Sequence, residues 1–198
     1  MDSLLVQQML GGLAVVLGAA GYVFYVHGII KGTVKPHAFS WFVWGLLTGI
    51  AFVAQVVDGG GPGAWVTGFT AAVSFVFAGV GLRASSRIFI ARTDWIFFIA
   101  ALATIPLWYV TGSPLLSVVL ITIVDALAFV PTFRKAYEHP ETEAVATYTL
   151  SGIKFVPSVL ALQNFSVVTA LYPISLIVMN ALFVMMVMWR KRTLKKQG

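Results

Sequence analysis

Long apolar runs divide this chain, and short polar stretches separate them. Seven runs stand out, at residues 4–30, 38–57, 64–82, 95–110, 115–133, 147–162 and 167–189. A helix that crosses a bilayer needs roughly 17–25 mostly apolar residues, so each run predicts a spanning helix. The fourth and sixth are the shortest. The stretches between runs are rich in turn formers, as in Asp58-Gly59-Gly60-Gly61-Pro62-Gly63 and Thr111-Gly112-Ser113-Pro114. The first run starts too near the N-terminus, and lacks the basic flank, to read as a secretory signal. It is expected to remain as a helix.

Composition strengthens this picture. Of 198 residues, 59% are hydrophobic and only 10% are charged, and the mean hydropathy is +0.92. Soluble domains carry about 25% charged residues. The expectation is an all-α integral membrane protein, with the lipid bilayer as its first partner.

The few bases are sorted by loop. Lys31 and Lys35 follow the first run, Arg83, Arg87 and Arg92 the third, and Arg134 and Lys135 the fifth. Arg190, Lys191, Arg192, Lys195 and Lys196 follow the seventh. The loops after the second, fourth and sixth runs carry none. Twelve of the 13 Lys and Arg therefore fall on one side. The positive-inside rule places that side in the cytoplasm, with the N-terminus outside and the C-terminus cytoplasmic, in a plasma (inner) membrane. The basic tail reads as this topology signal, and no nucleic-acid partner is expected. Trp41, Trp44, Trp95 and Trp189 lie toward the inner boundary and Trp65 and Trp108 toward the outer one, as interfacial belts do.

Much chemistry is excluded. Without cysteine there is no disulfide and no thiolate metal site. His27, His37 and His139 are scattered. No zinc-binding, phosphate-cradling or nucleophile-elbow motif occurs, so no metal, no cofactor and no enzymatic activity are expected.

Shifting the chain by 107 positions aligns two stretches without a gap. Residues 21–27 fall on 128–134, and residues 40–45 on 147–152. Val23/Val130 and Gly45/Gly152 are identities. Tyr22/Phe129, Ser40/Thr147 and Trp41/Tyr148 are similarities. Both stretches join the end of one run to the start of the next. Two triplets of helices keep the same orientation only if a fourth span links them. The expected plan is 3+1+3, with two parallel three-helix bundles. The first repeat covers residues 1–83, the linking loop and fourth helix 84–112, and the second repeat with the basic tail 113–198. Transporters built this way place the solute near the midplane, between repeats.

Residues 129–143 (FVPTFRKAYEHPETE), with the polar helix start that follows, resemble the PQ-loop and SWEET (MtN3/saliva) transporter superfamily, of which this chain looks like a divergent member. Val130-Pro131 matches the proline near the end of a triplet's first helix, with Thr132 where many PQ-loop members have Gln. Residues 134–143 match the basic-then-acidic turn. The first repeat departs from the pattern, with Phe24 at the proline position, and Phe42 and Thr149 stand where sugar-transporting members often have a second proline. The resemblance implies a seven-helix transporter.

Four polar residues lie at similar depth from the basic-loop side: Asp125, nine positions before Arg134; Lys154, seven past Thr147; Asn180, ten before Arg190; and Ser74, nine before Arg83. At 1.5 Å per residue each is about 10–15 Å deep. Asp125, Lys154 and Asn180 share one triplet and can touch, and Asp125 and Lys154 are expected within direct or water-bridged contact. Buried ionisable residues in a membrane are costly and point to function. One reading is a neutral Asp125–Lys154 pair that pins two helices. The other has them line a water-accessible cavity, with Lys154 meeting a solute carboxylate or phosphate and Asp125 carrying a proton or a solute amine. The resemblance implies proton coupling through Asp125, and a pocket lined by Asn180 and Ser74. Tyr22 and Tyr25 are candidates to face the cavity from the first span. Pro106, Pro131, Pro157 and Pro173 fall within spans, and Pro131 and Pro157 are the candidate hinges. Gly45-x-x-x-Gly49 reads as packing within the chain, with a homo-oligomer seam as the alternative.

The functional expectation is a transporter of a small-molecule solute, anionic or zwitterionic, or proton-coupled. A seven-helix receptor or sensor is the alternative. A retinal-type chromophore protein, suggested by a buried lysine near an aspartate, is the third.

Overall fold

The computed structural model describes residues 3–31, 38–84, 92–143 and 145–195. Lys35, His37, Arg87 and Lys196 lie outside the described residues, as do the side chains of Pro131 and Lys135. Among the described residues the chain is all-helical. The helices are α1 (Ser3–Ile30), α2 (Ala38–Val57), α3 (Trp65–Ala84), α4 (Arg92–Thr111), α5 (Pro114–Glu138), α6 (Val145–Ile153), α7 (Phe155–Leu160) and α8 (Val167–Lys195).

Five helical stretches are long and apolar enough to cross a membrane: α1, α2, α3 with its 3-10 lead (Gly61–Arg83), α5 and α8. The apolar part of α4, Trp95–Thr111, is shorter. The sixth run, expected as one span, is divided: α6 ends at Ile153, and Lys154 sits on a turn before α7. Pro157 explains the break. It has no N–H to offer the Ile153 carbonyl four positions back, and its ring crowds that carbonyl. Pro106 and Pro173 are accommodated inside α4 and α8.

The distribution of polarity inverts that of a water-soluble protein. Val16, Phe24, Val76, Ile96, Ile99, Val130 and Met185 point outward, while Gln55, Thr70, Ser74, Asp125 and Lys154 are buried. Water would penalise such a coat and hydrocarbon does not, which is compatible with an integral membrane protein.

α3 packs against both α1 and α2, and α8 packs against α5, α6 and α7. α4 lies on α2 and α5, where Ser117 donates from Oγ to the Thr104 carbonyl at 2.8 Å. The largest apolar core joins Leu47, Ile50 and Ala51 of α2 to Val118, Ile121 and Val124 of α5, with Ala101 of α4 and Tyr172 of α8. Two glycines allow close approach of α2 to α3 and of α6 to α8. A Cβ on Gly45 would stand 3.0 Å from the Phe75 ring, and one on Gly152 would stand 2.9 Å from Asn180 Cβ. Gly45 thus packs within the chain, whereas a Cβ on Gly49 would meet nothing within 4 Å.

The α2–α3 and α7–α8 turns are sewn together. Gln163 and Asn164 donate backbone N–H groups to the carbonyls of Gly60 and Gly59, each at 3.2 Å. Asn164 Nδ2 donates to the Asp58 carbonyl at 2.8 Å, and Ser166 Oγ donates to the Asp58 carboxylate. Ser158 Oγ donates to the Gly63 carbonyl at 2.6 Å. Gly59 and Gly61 adopt φ of 73° and 58°, a region that favours glycine.

Candidate functional site: a cavity between the helices

A cavity of about 460 Å³ opens between α1, α2, α3, α5, α6–α7 and α8; among the described residues α4 adds nothing to its wall. It occupies the half of the bundle nearer the α1–α2 and α5–α6 connections. It does not reach the sewn turns at the other end. Lys154, Asp125, Asn180, Ser74 and Tyr22 all line it, and so does Tyr25.

Lys154 owes its position to the α6–α7 break. Its side chain, only 5% exposed, crosses toward α1 and α3. Nζ donates to Thr70 Oγ1 at 3.0 Å and to Tyr22 Oη at 3.3 Å. It also lies 4.9 Å from the centre of the Tyr22 ring and 5.0 Å from that of Phe155, within the reach of a cation–π attraction. Gly18 leaves room for the lysine stem, since a Cβ there would touch Lys154 Cδ at 3.4 Å. Tyr22 is held in turn by edge contacts with Trp41 and Phe77 at 6.4 and 5.7 Å.

Asp125 faces the same cavity from α5 and is 6% exposed. The expected contact with Lys154 is not made as an ion pair. Among the described residues Asp125 has neither an ion pair nor a hydrogen bond, because Lys154 turns to neutral oxygens on α1 and α3 instead. An unpaired ion in so buried a place is expensive.

Asn180 spends its amide N–H on its own helix, donating to the Leu176 carbonyl at 2.8 Å. Its Oδ1 is buried without a partner. Ser74 likewise donates to the Thr70 carbonyl at 2.8 Å, one turn back. Of the candidate hinges, Pro157 is buried in α7 beside the break. Pro131 lies within α5, its side chain outside the described residues.

Sequence reasoning missed several wall residues. Thr70, which holds Lys154, stands four positions before Ser74 and so on the same helix face, a signal that could have found it. Trp41 and Trp44 were expected at the interface. They also line the cavity, ring centres 5.3 Å apart, and Trp41 Nε1 donates to Tyr25 Oη at 2.8 Å. Ser40, Trp41, Trp44 and Thr48 share one face of α2 by their spacing.

Among the described residues no cluster of three His, Cys, Asp or Glu could hold a metal. The site offers one cation, one unpaired carboxylate, one unpartnered amide oxygen and an aromatic wall. No protein-family model, curated protein or solved structure matches this chain.

Proposed function

We propose that this chain is a small-solute membrane transporter of PQ-loop/SWEET type, with seven spans in a 3+1+3 plan and a solute site in the cavity. The supporting observation is a correspondence within the cavity wall. α1 contributes Gly18, Gly21, Tyr22 and Tyr25; the positions 107 further on, Asp125, Ala128, Phe129 and Thr132, line it from α5. α2 contributes Ser40, Trp41, Trp44 and Thr48; again 107 further on, Thr147, Tyr148, Ser151 and Phe155 line it from α6–α7. Thr70 and Ser74 of α3 correspond to Leu176 and Asn180 of α8 at a shift of 106. Chance rarely aligns three helices of a pocket with three others. A doubled unit with its site at the repeat interface is how many transporters are built.

Alternating access needs one end of the site shut while the other is open. The sewn turns around Asp58 and Asn164 supply a shut end. The cavity lies toward the connections that carry the bases. The positive-inside rule makes that side cytoplasmic, so this conformer faces inward. Lys154 and Asp125 favour an anionic or zwitterionic solute, with Asp125 also able to carry a coupling proton.

The test is uptake into liposomes holding the purified protein, across a panel of small metabolites, with and without a pH gradient. Saturable uptake of one solute, lost in Lys154→Met, supports the reading. A ligand that binds in the cavity without any flux would make the protein a receptor or sensor instead, since fold does not separate the two.

A further inference from the structure

A second hollow lies on the outside of the bundle. α6 and α8 touch at Gly152, where a Cβ would stand 2.9 Å from Asn180 Cβ. Over that contact runs a groove of about 290 Å³, walled by Ile153, Val156, Ile177, Ala181, Val184 and Met185. It opens away from the cavity, which takes Ser151, Lys154 and Phe155 from the same segment, and Ile153, Val156 and Met185 are exposed on it. From Ile177 to Met185 the groove runs about 12 Å along α8, most of the half-thickness of a bilayer's hydrocarbon, which is about 15 Å. The α8 stripe that walls it continues at helical spacing. Ile177, Ala181, Val184 and Met188 are followed by Arg192 and Lys195. Both bases are exposed, and neither has a hydrogen-bond or ion-pair partner among the described residues. Their neighbours are engaged. Arg190 donates to the Tyr137 carbonyl and Lys191 to the Glu143 carbonyl, each at 3.2 Å. Acids nearby do not answer the two bases either. Glu138 pairs with Arg134 at 3.3 Å, Glu141 stands 3.6 Å from His139, and Glu143 is buried.

We propose that this groove and the two bases beyond it bind an anionic phospholipid. One acyl chain lies in the groove, and the phosphate meets Arg192 and Lys195. The site requires a chain embedded in a bilayer; it does not require that the chain carries a solute. A groove in hydrocarbon has no water to fill it, and an empty one forfeits the dispersion contacts of its walls. An acyl chain is the filler that a bilayer supplies. Apolar walls cannot tell one lipid from another, so the headgroup sets the choice. Basic clusters where a helix leaves the membrane attract anionic headgroups, and a guanidinium takes a phosphate through two parallel N–H bonds. The carbon stems of Arg192 and Lys195 can lie along apolar surface while their charges stay among the headgroups. A zwitterionic lipid brings its own cation and gains little from two more. A free phosphate would meet the same bases and leave the groove empty. A second copy docked by this face would set Arg192 and Lys195 against their own counterparts, a repulsive arrangement.

The experiment uses the purified protein in detergent micelles, with retained lipids counted by native mass spectrometry and stabilisation read by thermal denaturation. The probes are phosphatidylglycerol and phosphatidylcholine with identical acyl chains, and glycerol phosphate, which has the anion without the chains. Phosphatidylglycerol should bind the parent at least about tenfold more tightly than phosphatidylcholine. Glycerol phosphate at millimolar concentration should not displace it. Arg192→Gln with Lys195→Gln should abolish the preference. Lys31→Gln with Arg83→Gln removes two exposed bases from other connections and should preserve it. Ala181→Phe fills the groove and should weaken both lipids. The substituted bases are exposed, so the headgroup comparison decides even if Ala181→Phe fails to fold. Equal binding of the two lipids by the parent would overturn the proposal. So would a preference lost equally in the Lys31 and Arg83 variant, which marks general attraction to a basic surface. Displacement by glycerol phosphate would mark an anion site without a chain and would overturn it as well. Absence of solute flux removes the transporter and leaves the lipid site, whereas equal lipid binding removes the lipid site and leaves the transporter.

Discussion

Lys154, on the turn between α6 and α7, donates to Thr70 on α3 at 3.0 Å, across 84 positions of sequence. With the bond to Tyr22 on α1, it ties the second half of the bundle to the first through one buried cation. The charge is met by neutral oxygens and two aromatic rings, with no direct ion pair to Asp125.

That arrangement changes what the charged residues should do when replaced. Breaking a buried ion pair costs about 3–5 kcal/mol. No such pair joins Asp125 to Lys154, so Asp125→Asn should leave stability within about 1 kcal/mol of the parent, the range of one net hydrogen bond. Thr70→Val, which strips a partner from a buried cation, should cost about 1.5–3 kcal/mol. A double-mutant cycle on Asp125 and Lys154, read by thermal denaturation in detergent, should give a coupling near zero. A coupling of several kcal/mol would mean that the two side chains meet.

The sewn turns should act as a closed gate. Asn164→Ala removes the side-chain bonds to the Asp58 carbonyl and carboxylate and leaves the two backbone bonds. In a Thr48→Cys background, otherwise free of cysteine, an impermeant thiol reagent applied from the Asn164 side should label slowly. Adding Asn164→Ala or Asp58→Ala should speed that labelling severalfold. Unchanged rates would show that these side chains do not hold the end shut.

Pro157→Ala restores an N–H where the Ile153 carbonyl lacks one, and should make α6 and α7 more continuous. Thermal stability should hold or rise, because a helix interior favours alanine over proline by about 3 kcal/mol. Saturable uptake should fall, because straightening moves Lys154 away from Thr70 and Tyr22. A variant more stable than the parent and equally active would mean that the break is incidental.

Close approaches at glycine should rank by what the new methyl meets. On Gly63 it would stand 2.6 Å from Leu162 Cδ2 and 2.7 Å from the Ser158 carbonyl oxygen. Backbone cannot move aside easily, so Gly63→Ala should prevent recovery of folded protein. Gly152→Ala crowds Asn180 and should cost about 1–3 kcal/mol. Gly45→Ala meets the Phe75 ring, which is 42% exposed and able to turn away, so it should cost least. Melting temperatures of the three variants check the order.

Orientation is tested by single cysteines. Gly60 is a poor site, since a Cβ there would stand 2.9 Å from the Gln55 carbonyl oxygen. Gln163 and Lys195 are exposed. Gln163→Cys and Lys195→Cys should label from opposite faces, Gln163→Cys from outside. Labelling from one face would overturn the seven-span topology.

The linear sequence by itself determined where the helices lie. Apolar runs bounded by glycine, proline and charge leave few alternatives when backbone polar groups must be satisfied without water. It also determined position along each helix. Asp125, Lys154, Asn180 and Ser74 were selected by counting from the basic loops, and all four stand on one cavity, because rise along a helix is fixed per residue. Rotation about each helix axis, and the order in which helices pack, belong to the tertiary structure alone. Equal depth and opposite charge suggested that Asp125 would meet Lys154, but Pro157 breaks the sixth run at the lysine and its stem crosses beside Gly18 to Thr70 and Tyr22. Trp41 read as interfacial because its position in the run sets only its depth. Its ring turns inward because α2 presents that face to α1 and α3, a choice made by side-chain packing between segments far apart in the chain.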